Sequence, residues 1–126
     1  MVEKTYYNPG KPFCGAVKAG NTIFVSGQVP TKEDGTVAGE DIKDQTRAVL
    51  EKIKSALEGL GASVTDVVKC TVFLTDIDTF SDMNEAYIEF FETNGFSDSL
   101  PARAAMEISR LVKKEWLIEV EAIAIV

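Results

Sequence analysis

The sequence predicts an α+β two-layer sandwich in which two helices pack on one face of a mixed sheet of about six strands. Three observations lead there. Two long stretches repeat their apolar residues at helical period, strand-like runs stand before, between and after them, and short turn-rich connections segregate the elements. A chain of 126 residues suits a single domain, 1–126, large enough to bury a core without staples.

The first element is a hairpin. In AVKAGNTIFVSGQVP the pair Gly20-Asn21 separates two strand-like runs, 16–18 and 22–29. The stretch TKEDGTVAGED is rich in turn formers and reads as a loop with a short strand around Val37. From Asp41 to Leu60 the apolar residues Ile42, Val49, Leu50, Ile53, Ala56, Leu57 and Leu60 fall on one stripe with charges opposite, which predicts a helix. Its end is expected at GLGAS, where Gly59 and Gly61 offer a left-handed cap.

The run VVKCTVFLT has the β-branched composition of a buried strand. In DIDTFSDMNEAYIEFFETNG, Asp78 is the expected N-cap of a second helix whose stripe is Phe80, Met83, Tyr87, Phe90 and Phe91, and Asn94-Gly95 closes it. After FSDSLP, residues 102–108 and 116–126 read as two strands joined by RLVKKE, most simply as a hairpin.

Along WLIEVEAIAIV, alternation sends Trp116, Ile118, Val120, Ala122 and Ala124 one way and Leu117, Glu119, Glu121, Ile123 and Ile125 the other. Neither side is cleanly polar. A sheet that is apolar on both faces, with helices enough for one, predicts that a partner subunit covers the second.

The net charge of −7 argues against nucleic acid and against an anionic membrane surface, and no Lys/Arg cluster is expected to reverse that sign locally. A small anion remains compatible, because one buried arginine outweighs a diffuse field that salt screens within about 8–10 Å. There is no histidine, and Cys14 and Cys70 lack pair spacing, which argues against a zinc or transition-metal site. Acid–base chemistry then falls to carboxylates, lysine, tyrosine or water. The start MVEKTYYNPG has no apolar signal core and no stretch reaches about 18 apolar residues, so the chain reads as a cytoplasmic protein with reduced thiols. Both cysteines read as structural.

Arg103 in LPARAAMEIS cannot shed its charge and needs a partner. Alternation places Arg103, Ala105, Glu107 and Ser109 on one face, and Glu119 and Glu121 share a face of what is read as the facing strand. One reading is a cross-strand ion pair worth about 0.2–1 kcal/mol. The other is a guanidinium fork for a substrate carboxylate beside a desolvated glutamate that handles a proton. Ser26 and Gly27 in VSGQVP mark either a bulge or a close approach of backbone to ligand. Asn84 hydrogen-bonds either a neighbouring loop or a ligand.

Taken together, VSGQVP, QTRAVLEKIKSALEGLGAS, DVVKCTVFLTDIDTFSDMNEAYIEFF, PARAAMEISRL and IEVEAIAIV resemble the Rid/YjgF family of reactive-intermediate deaminases, from about Pro12 to the C-terminus. The resemblance implies a chorismate-mutase-like fold assembled as a homotrimer, with a central barrel of sheets and clefts between subunits. It also implies hydrolysis of 2-imino acids, or their 2-aminoacrylate-type enamine tautomers, to 2-keto acids and ammonia without metal or organic cofactor. On that resemblance Arg103 grips the substrate carboxylate and Glu119 stands near the substrate nitrogen and attacking water, with Glu121 as a second, less direct acid. Phe13, Ser26, Gly27, Asn84 and the main chain at Ala105 line the substrate.

The chain departs from the family pattern in two places. Lys11-Pro12-Phe13 stands where many members have Gly-Pro-Tyr, and Ala104-Ala105 where many have Ser and Cys. Loss of one hydrogen bond to a charged intermediate costs about 1.5–3 kcal/mol. A non-catalytic trimer that binds keto acids as a regulator is the alternative reading.

Overall fold

The computed structural model describes residues 1–126. It contains strands β1 (Lys4–Tyr7), β2 (Ala16–Ala19) and β3 (Thr22–Gln28), helix α1 (Ile42–Gly59), strand β4 (Val67–Leu74), helix α2 (Phe80–Thr93), and strands β5 (Ala102–Glu107) and β6 (Ile118–Ile125). The strands form one sheet in the order β1-β2-β3-β6-β4-β5, in which only β4 and β5 run parallel.

Both helices follow from the sequence. Asp41 caps α1 by accepting from the Asp44 N–H at 2.8 Å. The stripe Ile42, Val49, Leu50, Ile53, Ala56 and Leu57 is buried against the sheet. Gln45 and Thr46 are buried with it, and each finds partners. The Gln45 amide donates to the carbonyls of Gly39 and Glu115 and accepts from the Leu117 N–H at 2.8 Å, which fixes the entry into β6. In α2 the buried residues are Met83, Ala86, Tyr87, Phe90 and Phe91.

Four details differ from the sequence expectation. β1 forms from KTYY, a run with no apolar alternation, because its Tyr7 lies against the end of α1. Gly59 is helical, and a Cβ there would run into the Tyr7 ring, so it serves close packing. Gly61 alone takes the left-handed turn, at φ +79°. The start of α2 is preceded by a 3-10 turn, Ile77–Thr79, and the capping carboxylate is that of Asp76, which accepts from the Asp78 N–H at 2.9 Å. Lastly, β5 and β6 are no hairpin, since β4 lies between them.

That last difference decides the site. A strand–helix–strand connection through α2 sets β5 parallel to β4, and β6 takes the other edge of β4. The register therefore lines up Ala122, Cys70 and Arg103 on the face that packs under the helices, followed by Val120, Val72 and Ala105. Glu121, Thr71 and Ala104, then Glu119, Phe73 and Met106, occupy the opposite face. This second face carries no helix and also presents Tyr6, Phe24, Ile123 and Ile125. No helix is long and apolar enough to cross a membrane.

Candidate functional site

The site residues fall into two groups on opposite faces of the sheet. The expected meeting of Arg103 with Glu119 and Glu121 does not occur within one chain, because the β5–β4–β6 order shifts the alternation by a strand. Glu107 shares Arg103's face as expected, but its carboxylate accepts from the Ile77 N–H at 3.0 Å.

The first group surrounds Arg103 on the edge strand β5. Its Nη1 donates to Asn84 Oδ1 at 2.7 Å. Its guanidinium carbon lies 4.8 Å from the centroid of the Tyr87 ring and 5.4 Å from that of Phe80. All three partners come from α2 at positions i, i+4 and i+7, one side of the helix. They are neutral. The molecule's ion pairs are Lys43–Glu85 and Arg47–Asp44, so no carboxylate offsets the Arg103 charge.

Beneath the guanidinium the Tyr87 hydroxyl is buried without a hydrogen-bond partner, and the Cys70 thiol is fully buried. Burial pushes that thiol up to about 11, which keeps it protonated and inert at neutral pH. Ala105 follows Arg103 on the same face, and β5 as an edge strand leaves half of its backbone groups free of the ladder.

The second group lies on the helix-free face, where Phe13, Ser26, Gly27, Val29, Val112, Trp116, Glu119 and Glu121 line an open groove of about 580 Å³. Between Val25 and Gln28 the β3–β6 register slips, with three steps along β3 against two along β6, so Ser26-Gly27 forms a bulge. The bulge is fixed on both sides: Ser26 Oγ donates to the Cys14 carbonyl at 2.7 Å and Gln28 Nε2 to the Ser26 carbonyl at 3.0 Å. Gly27 then leaves room for the Glu119 carboxylate. A Cβ at Gly27 would fall 2.8 Å from Glu119 Cδ and nearer still to Oε2. Burial, and secondly the charge of Glu121, hold the Glu119 carboxyl above the ordinary range.

Phe80 and Tyr87 escaped the sequence reading because their place in the apolar stripe explained them. Their spacing with Asn84 was the available signal. Trp116 and Val112 carried none. Arg110, Lys113 and Lys114 line a second groove with Thr75, Ser109, Leu111 and Trp116. No group of acidic, cysteine or histidine side chains has the proximity to hold a metal ion.

Residues 4–126 match the family model described as endoribonuclease L-PSP. The chain belongs to this family, known also as Rid/YjgF. Among Rid/YjgF relatives, a RutC family protein of Pyrococcus horikoshii is 50% identical over 117 residues, covering 92% of this chain and 88% of that one. The 2-iminobutanoate/2-iminopropanoate deaminase of Salmonella typhimurium is 37% identical over 114 residues, covering 90% and 87%. The crystal structure of Escherichia coli TdcF with bound serine superposes with a TM-score of 0.85 at 36% identity, covering 100% of this chain and 98% of that one. The six-stranded mixed sheet with its two helices is thus the Rid/YjgF fold, as the sequence resemblance implied.

Proposed function

We propose that this Rid/YjgF protein is a cytoplasmic homotrimeric deaminase that hydrolyses 2-imino acids, or their 2-aminoacrylate-type enamine tautomers, to 2-keto acids and ammonia. One observation carries the reading: Arg103 is held by an amide and two aromatic rings and by no carboxylate, so its charge is kept for an anion brought by a ligand. The relative named a deaminase and the one solved with serine bound support a small amino-acid-like ligand.

The two half-sites then belong to different protomers. Arg103 of one chain faces the Glu119 groove of the next, which is consistent with a helix-free, apolar sheet face awaiting a partner. In the shared cleft the guanidinium binds the substrate carboxylate and orients the iminium carbon. Water adds its oxygen to that carbon while Glu119 takes one proton. The protonated carboxyl passes that proton to the nitrogen of the carbinolamine. As the C–N bond breaks, the carbinolamine hydroxyl gives its proton to the Glu119 carboxylate, keto acid and ammonia leave, and the carboxyl releases the remaining proton to the ammonia as ammonium. Elevation of the Glu119 pKa by burial suits a group that both accepts and donates. An enamine substrate first takes a proton from solvent at its terminal carbon and so becomes the iminium ion.

The test generates 2-aminoacrylate or 2-iminobutanoate in situ with a pyridoxal-phosphate dehydratase and follows keto-acid release. Acceleration over buffer that falls about 100-fold or more in Arg103→Ala is expected; no acceleration defeats the enzyme reading. Phe13 brings no hydroxyl to the groove, which favours a second reading, a keto-acid-binding regulatory trimer. That reading predicts calorimetric binding of keto acids, lost in Arg103→Ala and retained in Glu119→Gln, with no turnover.

A further inference from the structure

The groove beside Glu119 has an apolar wall for which the hydrolysis set out above has no use. Phe13, Val29, Val112 and Trp116 form it, opposite Gly27 and Glu119. After Met1, Val112 and Phe13 are the most exposed large apolar side chains of the molecule, at 82% and 64%. Apolar surface kept open beside carboxylates is costly in water and marks a place that something apolar covers.

The wall is also braced. The Lys52 ammonium, its pKa lowered by burial, donates to the Val29 carbonyl and to Thr31 Oγ1, each at 2.9 Å. Ser26 ties down the Cys14 carbonyl next to Phe13. The Trp116 indole N–H is buried, so the ring offers carbon to the groove. At about 580 Å³ the open groove has room for far more than the side chain of an imino acid of three or four carbons.

A 2-imino acid carries its carboxylate, its nitrogen and its side chain on one trigonal carbon. With the carboxylate on Arg103 and the nitrogen and water at Glu119, the third substituent is the one left to point along the Trp116 wall. We infer that this groove is a side-chain subsite and that the substrates hydrolysed best are 2-imino acids with bulky apolar or aromatic side chains. The inference rests on the deaminase reading and specifies a property which that reading leaves open.

The test forms imino acids in situ from alanine, leucine, phenylalanine and arginine with a flavin amino-acid oxidase and measures kcat/KM for keto-acid release above buffer. The leucine- and phenylalanine-derived imines are expected to exceed the alanine-derived imine by about ten-fold or more. Trp116→Ala is expected to lower the phenylalanine-to-alanine ratio about ten-fold. Val112→Ser, at a position too exposed to threaten folding, is expected to lower it in the same direction. Two results overturn the subsite while leaving the deaminase intact. One is a best substrate derived from alanine, or from arginine drawn by Glu121; the other is a ratio that neither variant moves. Acceleration of no imine overturns both readings.

Discussion

Arg103 stays available because what surrounds it is polarisable but uncharged. Asn84 fixes one Nη by a hydrogen bond, and the Phe80 and Tyr87 rings stabilise the cation without neutralising it. Asn84→Ala is therefore expected to raise KM about ten-fold in the imine assay, the loss of one bond to a charged group. Asn84→Asp should raise it further, because a carboxylate 2.7 Å from the fork competes with the substrate's own. An unchanged KM in both variants would remove Asn84 from the site. Glu119 carries the opposite logic. Its folded pKa lies above the ordinary value of 4.5, so ionisation opposes folding, with full effect above the folded pKa and none once pH drops below the ordinary value. Glu119→Gln should then raise Tm at pH 7 by about 1–3 °C after solvent screening and give no gain below about pH 4. The same variant should lose about 100-fold in kcat. Greater stability with lower activity is what a strained catalytic acid gives and what a structural ion pair does not.

At the scale of elements, the bulge in β3 and the carboxylate on β6 are one device. Gly27→Ala places a methyl where the Glu119 carboxylate lies, so it is expected to destabilise by about 1–3 kcal/mol. In the Glu119→Ala background the same change should cost much less, and a double-mutant cycle by urea denaturation measures that coupling. Additive effects would show that the two residues do not meet. Most elements were legible in the sequence: the stripes of α1 and α2 name the side of each that is buried, and the β-branched run of β4 and the alternation of β6 mark them as strands, although neither side of β6 is cleanly polar and β1 carries no such pattern. Which strands neighbour one another was not. A period of two assigns residues to faces within a strand and says nothing about whether β6 or β4 lies beside β5, a choice made by the long connections through α2 and RLVKKE. Because of that, Arg103 and Glu119 were each recognisable by type and surroundings, while their separation onto opposite faces was not. The bulge was visible as a glycine in a strand, but the carboxylate it accommodates lies in another strand, far along the chain.

For the whole molecule, the separation of the two half-sites makes assembly a requirement of the proposed chemistry. The helix-free face exposes Tyr6, Phe24, Met106 and Ile125 in a chain of net charge −7, an apolar area that a second copy covers better than water does. If Arg103 and Glu119 act across protomers, each is dispensable in a chain whose neighbour supplies the other. Arg103→Ala and Glu119→Gln homotrimers should each be nearly inactive. Trimers reassembled from an equal mixture should regain about one quarter of wild-type activity, since each cleft draws its arginine and its glutamate independently from the two chain types. Light scattering of the mixed species establishes that it is a trimer, and keto-acid release from an in situ imine reads its activity. A mixture no more active than its parents would place both residues' work within one chain, which the register of β4 with β5 and β6 opposes.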